Sequence, residues 1–259
     1  MQVCYFASDF HLGAPSKEQS NERERAIVRW LDYAATDATD IYLVGDVFDF
    51  WFEYAAVIPK GYSRFFGKLA ELADRGIQLH FFYGNHDMWV KQYFTEEFGM
   101  KIYANPIQLT LYGKRIYLGH GDGLGPGDRG YKFIKLFLRS TLCQWAFARI
   151  HPNFGIGLAR FFSGKSREGS EHEHQFLGFE HEWLYQYAQT MQQKDPHDYY
   201  IFGHRHLPFS LPIERGTYFN LGEWFHYQTF MKIDSETPQY FTWDGQHAHS
   251  YDPPYGKGK

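Results

Sequence analysis

The sequence predicts an α/β fold, with parallel strands in its first half and antiparallel strands in its last third. Two patterns carry that reading. Through the first half, short apolar β-rich runs alternate with helical stretches, as in strands joined by crossover helices. In the last third strand follows strand, separated by Gly-Thr and Asp-Gly turns. A third observation places function on this frame, because five of the strands run out into clusters of Asp, Asn and His.

Taken in order, strands are expected at 2–7, 41–44, 78–83, 107–111, 115–118, 199–202, 217–221, 227–233 and 239–243, each a short run rich in β-branched, aromatic or aliphatic residues. Helices are expected at 21–35, 61–75, 90–98, 131–150, 154–162 and 176–192, where apolar residues recur with helical spacing. The chain has 259 residues, enough for a sizeable core, and reads as one domain over 1–259. A helical insertion is expected at about 125–185 and a disordered tail at 252–259. There is no internal repeat.

Composition excludes several classes. Cys4 and Cys143 are the only cysteines, so neither a disulfide scaffold nor a Cys-based zinc site is available. No apolar run reaches the roughly 18 residues a membrane span needs. The N-terminal stretch reads as a buried strand rather than a signal peptide, which makes the cytoplasm the expected address. The net charge of −4 argues against a nucleic-acid binder.

The strand ends hold the chemistry. The first strand runs into Ser8-Asp9-Phe10-His11, the second into Gly45-Asp46-Val47-Phe48-Asp49, and the third into Gly84-Asn85-His86-Asp87. The strand at 115–118 runs into Gly119-His120-Gly121-Asp122, and that at 199–202 into Gly203-His204-Arg205-His206. Each cluster alone is weak: Asp-x-His is commonly a solvated turn, and Asp readily caps a helix. Five together at strand ends, where open α/β sheets bind ligands, defeat the bland reading. Oxygen from Asp and Asn with nitrogen from His, and no thiolate, suits Mn²⁺, Fe²⁺ or Zn²⁺. About seven such groups are too many for one ion and fit two ions sharing a carboxylate.

Asp9-x-His11, Gly45-Asp46-x-x-Asp49, Gly84-Asn85-His86-Asp87, Gly119-His120-Gly121-Asp122 and Gly203-His204-x-His206 together resemble the motif set of the calcineurin-like metallophosphoesterases. The resemblance implies a four-layer αββα sandwich with two mixed sheets and a helical lid. It implies that Asp9, His11, Asp46 and His206 hold one metal, and that Asp46, Asn85, His120 and His204 hold the other. Mn²⁺ is the first expectation for both ions, with Fe²⁺ or Zn²⁺ as alternatives. Asp46, Asn85 and His86 are the implied catalytic residues, with Asp46 bridging and His86 facing the phosphate; Asp87 would orient His86, and Asp49 would support the ligands.

Residues 129–167 contain eight Lys and Arg and no Asp or Glu, which leaves 18 basic against 30 acidic residues elsewhere. The cations are interleaved with Phe, Leu, Ile and Trp. Basic residues on helices with broad apolar faces read as a membrane-surface element. An ordinary helical hairpin with solvated cations, or a nucleic-acid patch, are the other readings. The stretch from His120 through Asp128 to Tyr131, followed by this basic aromatic helix, is similar to the UDP-2,3-diacylglucosamine diphosphatase branch of the family, whose lid cradles two acyl chains. By that match Asn85, His86, Asp128, Tyr131, Ser166, Arg167 and His204 would contact a lipid-linked nucleotide, cleaved to UMP and 2,3-diacylglucosamine 1-phosphate by an enzyme peripherally bound to the inner membrane. Past Ser166-Arg167-Glu168 the match fades into Glu171-His-Glu-His174.

One position departs. The best-known members of that branch carry Asn-Arg-Asp where this chain has Asn85-His86-Asp87. A soluble phosphoesterase acting on a nucleotide or another lipid-linked phosphoester is therefore the alternative, and a binding scaffold that has lost the chemistry a remote one. His172, His174, His181, His226, His247 and His249 lie outside the clusters and read as surface or structural residues, and His151-Pro152 as a turn between lid helices. Phe48, Phe50, Trp51 and Phe52 read as core beneath the site, with Trp51 as a candidate for the cleft wall.

Overall fold

The computed structural model describes residues 1–127, 129–169, 176 and 178–253, with the side chains of 129, 160 and 165–169 outside the description. Two mixed sheets form its centre. The larger has the order β12-β11-β10-β1-β2-β3-β4, and the smaller β5-β6-β7-β9-β8.

In the larger sheet, β1 (Cys4–Ala7), β2 (Asp40–Leu43), β3 (Gln78–Phe82) and β4 (Lys101–Tyr103) are mutually parallel. The strands β10 (Thr229–Ile233), β11 (Gln239–Trp243) and β12 (Ala248–Ser250) continue it antiparallel. In the smaller sheet β6 (Lys114–Gly119), β7 (Tyr199–Phe202) and β9 (Gly216–Leu221) are parallel, flanked by antiparallel β5 (Ile107–Leu111) and β8 (Pro208–Ile213).

The layers follow from side-chain alternation along the strands. Tyr5 and Ala7, Ile41 and Leu43, Leu79 and Phe81 face the core shared with the helices α1 (Lys17–Ala34), α2 (Ser63–Asp74) and α3 (Tyr93–Phe98). Cys4 and Phe6, Tyr42, Phe82, Ile116, Leu118, Ile201 and Phe219 meet between the sheets. On the far side Tyr117, Tyr200, Phe202 and Tyr218 pack with Leu184, Tyr185 and Ala188 of α7 (Trp183–Lys194). Helix, sheet, sheet and helix make four layers.

The strands not foreseen, β4, β8 and β12, are all sheet edges, and β4 and β12 have only three residues each. β8 carries Pro208 and Pro212, which an edge tolerates and a central strand does not. The last third is not wholly antiparallel, because β9 pairs parallel with β7.

The helix expected at 131–150 is two helices, α4 (Arg129–Arg139) and α5 (Thr141–Phe147). Ser140 interrupts it with extended φ/ψ, its side chain accepting a hydrogen bond from Cys143 N as an N-cap. After His151, α6 (Pro152–Gly169) starts on proline, whose missing N–H costs nothing in a first turn. The helix expected from 176 begins only at Trp183. Residues 254–259 of the expected tail, and the stretch Glu171-His-Glu-His174, lie outside the described residues.

One buried carboxylate ties together the loops that follow β2 and β3. Glu53 accepts hydrogen bonds from Trp51 Nε1 and from the backbone N–H groups of Lys91, Gln92 and Tyr93, at 2.8–3.2 Å. It caps α3 from a distance, since the N-cap position Gln92 makes no side-chain cap of its own. Glu53→Ala should cost about 2–3 kcal/mol by leaving those donors buried and unpaired. The measurement is the urea midpoint at constant slope; an unchanged midpoint would show that the cap contributes nothing.

Candidate metal centre

The carboxyl ends of β1, β2, β3, β6 and β7 open at one rim between the two sheets. The loop after β1 continues beside the loop after β2, through Asp9 N–H to Gly45 O, His11 N–H to Asp46 O and Leu12 N–H to Val47 O, at 2.9–3.0 Å. Gly203 N–H donates to His120 O across the other sheet. Backbone pairing therefore fixes the loops before any side chain contributes.

Three groups of donors result, of which His11, Asp49 and His86 form one and the other two share Asp46. Asp9, His11, Asp46 and His206 bring ligand atoms within 4.8 Å of one another, and so do Asp46, His120 and His204. Asn85 joins the second group, its Oδ1 lying 3.4 Å from His120 Nε2. Asp46 belongs to both: its Oδ2 lies 3.3 Å from His120 Nε2 and 3.8 Å from His11 Nε2.

Each carboxylate has one oxygen held by the backbone and one turned to the donors. Asp46 Oδ1 accepts from His86 N–H at 2.8 Å, and Asp9 Oδ2 from His204 N–H at 3.0 Å. Asp9 Oδ1 is buried and accepts no hydrogen bond among the described residues, while His206 Nε2 stands 3.2 Å away. His120 donates from Nδ1 to Val44 O at 2.8 Å, which leaves the lone pair on Nε2, the nitrogen facing Asp46.

The donor set fits divalent cations. His11 Nε2 and His206 Nε2 lie 3.2 Å apart. Two ligands about 2.1 Å from one ion are about 3.0–3.4 Å apart in octahedral or tetrahedral geometry. The charge balance points the same way. Burial would push the Asp46 carboxyl up, but the His120, His86 and His11 imidazoles outweigh it and hold it well below the usual carboxylate range. Burial would likewise lower His120, and Asp46 beside it instead pushes it up to about 10.

The backbone is bent to this purpose. Asp9, His11, Asp46, His204 and His206 all have positive φ, between 42° and 67°. That region is uncommon for residues with a Cβ and clusters at functional sites. Space is equally tight: a Cβ on Gly84 would collide with the Asp46 carboxylate and its backbone nitrogen.

Asp87 does not orient His86. It is fully buried, and its carboxylate accepts from Val47 N–H, Phe48 N–H and Gly84 N–H, so it joins the second and third loops. Burial and the neighbouring charge of Asp46 push it up to about 7. His86 Nδ1 instead faces the Asp49 carbonyl at 3.0 Å, while the Asp49 carboxylate stands 3.7 Å from His11 Nδ1. Tyr131 donates to Asp122 at 2.7 Å, and Lys135 closes an ion pair with the same carboxylate at 2.5 Å. Asp128 and the side chains of Ser166 and Arg167 lie outside the described residues. Trp51 is fully buried against Phe48 and Phe94, in the core and away from any cleft.

Arg23 escaped the sequence reading. Its guanidinium donates to the carbonyls of Phe10, His11 and Ala14 at 2.5–2.7 Å and lies over the Phe225 ring, which stacks on His11. An arginine in an amphipathic helix gives no sequence signal for such a task.

The profile of the Calcineurin-like phosphoesterase family matches residues 4–208. A UDP-2,3-diacylglucosamine hydrolase of Porphyromonas gingivalis is 36% identical over 247 residues, covering 90% of this chain and 94% of that protein. One from Aeromonas hydrophila is 30% identical over 226 residues, covering 85% and 90%. Among solved structures, the phosphoesterase Yfce from E. coli aligns at 16% identity with a TM-score of 0.46, covering 97% of this chain and 99% of that one.

Gly84→Ala should push Asp46 out of place and weaken metal binding about 10–100-fold while leaving the far-UV circular dichroism unchanged. Metal per chain after dialysis, by plasma mass spectrometry, is the measurement; wild-type retention would show that the crowding is immaterial.

Proposed function

The chain belongs to the calcineurin-like phosphoesterase family, and from that premise we propose that it hydrolyses the pyrophosphate of UDP-2,3-diacylglucosamine to UMP and 2,3-diacylglucosamine 1-phosphate. The observation that carries the substrate is the apolar surface of α4–α6. Phe133, Leu136, Leu142, Trp145, Phe154 and Phe161 are each more than half exposed. So many exposed large apolar side chains on consecutive helices mark a binding face. It is joined to the metal centre at several points: Trp89 Nε1 donates to Leu138 O at 2.8 Å, Phe147 packs on Phe52 and Trp89, and Lys135 pairs with Asp122.

Asp9, His11, Asp46 and His206 would hold one ion, and Asp46, Asn85, His120 and His204 the other; their N/O donors suit Mn²⁺, with Fe²⁺ or Zn²⁺ as alternatives. Two divalent ions held there would supply activation of water and neutralise charge on phosphoryl oxygens. The protein's own part is positioning. The Asp46 carboxylate holds His86 N–H, and His86 is bonded through Nδ1, which leaves Nε2 for a phosphate oxygen. Tyr131, Asp128, Ser166 and Arg167 would line the head-group side, with Asn85 and His204 reaching the phosphates.

Among the described residues no helix is long and apolar enough to cross a membrane. The basic, apolar α4–α6 surface supports a peripheral seat on the cytoplasmic face of the inner membrane. His86, in place of the branch's Arg, favours a second reading in which another nucleotide or lipid-linked phosphoester is cleaved.

With Mn²⁺, kcat/KM for UDP-2,3-diacylglucosamine should exceed that for its deacylated analogue by at least about tenfold, since buried methylenes contribute to binding. Equal values would remove the acyl-binding role of α4–α6. His86→Ala should lower kcat about 100-fold with metal content intact; loss of metal in that variant would reassign His86 as a ligand.

A further inference from the structure

Ser163 lies on α6, outside every strand-end cluster, yet its hydroxyl reaches the site. Ser163 Oγ donates to the Asp49 carbonyl at 2.9 Å and lies 3.1 Å from His86 Nδ1. The same carbonyl lies 3.0 Å from His86 Nδ1. The three groups close a triangle, and one proton assignment makes all three contacts hydrogen bonds. A carbonyl can only accept, and the serine proton is directed to it, so the hydroxyl presents its lone pairs to the imidazole. His86 Nδ1 must then be the protonated nitrogen, donating to both oxygens.

The two oxygens come from different parts of the chain. The Asp49 carbonyl sits on the loop after β2, which is tied to the first loop by Asp49 N–H to Leu12 O at 3.0 Å. Ser163 sits on α6, where Phe161 and Phe162 beside it are exposed. Only when α6 is seated does the His86 ring have both acceptors. The main chain of His86 is fixed independently by Asp46, so what α6 adds is the ring's orientation and tautomer.

We propose that Ser163 is a positioning residue that fixes the His86 ring with its Nδ1–H turned inward, so that the seating of α6 over the site and the readiness of His86 are one event. This rests on the reading of His86 as the group that faces phosphate. Outer partners of this kind typically matter by an order of magnitude.

The test compares wild type, Ser163→Ala and Ser163→Thr, each also in a His86→Ala background, on UDP-2,3-diacylglucosamine and on bis(p-nitrophenyl) phosphate. Ser163→Ala should lower kcat about tenfold on both substrates with KM, metal content and melting temperature unchanged. Ser163→Thr should restore the rate, and in the His86→Ala background Ser163→Ala should add nothing. In histidine-¹⁵N-labelled protein loaded with a diamagnetic divalent ion, wild-type His86 should show a protonated Nδ1, and Ser163→Ala should shift that signal toward the tautomer average. Unchanged kcat with an unchanged His86 signal would overturn the role of Ser163. A wild type inactive on the lipid nucleotide, but active and Ser163-dependent on the aryl diester, would overturn the substrate reading alone.

Discussion

The structure turns on one buried negative charge. Asp46 lies almost fully inside the protein, shared between two sets of donors, at the point where both sheets end. A buried carboxylate is tolerable only when paired and hydrogen-bonded. The neighbourhood meets that demand. The His86 amide binds one oxygen, His120 and His11 face the other, and Gly84 leaves room for both. Three further polar residues hold the surrounding loops: Asp87 between the second and third, Glu53 beyond them, and Arg23 beneath the first. Each is itself buried, so the site rests on interlocked polar groups rather than on loops lying over a greasy core.

Much of the centre was legible in the sequence because its residues sit where a simple rule puts them, at the carboxyl ends of β1, β2, β3, β6 and β7. Alternation along the strands also made the layers readable. What escaped was non-local. Arg23 and Ser163 act from helices whose composition says only that they are amphipathic or aromatic-rich. Asp87 stands next to His86 in sequence but turns away from it, because the amides of Val47, Phe48 and Gly84 are nearer partners than an imidazole. The break at Ser140 was hidden inside a continuous apolar pattern, where one capping side chain outweighs periodicity.

The basic run 129–167 is less uniform than its composition suggests. Lys135 is neutralised by Asp122, Lys132 donates to Gly125 O, Arg139 reaches Ala104 O, and Arg149 lies over Trp145. Much of the local excess of cations therefore fastens the helices to the rim. Leu138 and Phe147 pack inward on Phe52 and Trp89, whereas Phe133, Leu136, Leu142, Phe154 and Phe161 have no such task and stand in solvent. The net charge of the whole chain describes neither part well.

The five ligand residues with positive φ carry a consequence for how such a protein can change over generations. Each holds a backbone conformation that glycine or asparagine adopts more readily than aspartate or histidine. Replacing a ligand by one of those would relax the loop while removing a donor, so the drift that most easily firms the fold is also the drift that silences the chemistry. Only continued selection on catalysis keeps the lineage on the less comfortable side. Descendants freed from that selection have a downhill path to sturdy, inert copies of the same sandwich.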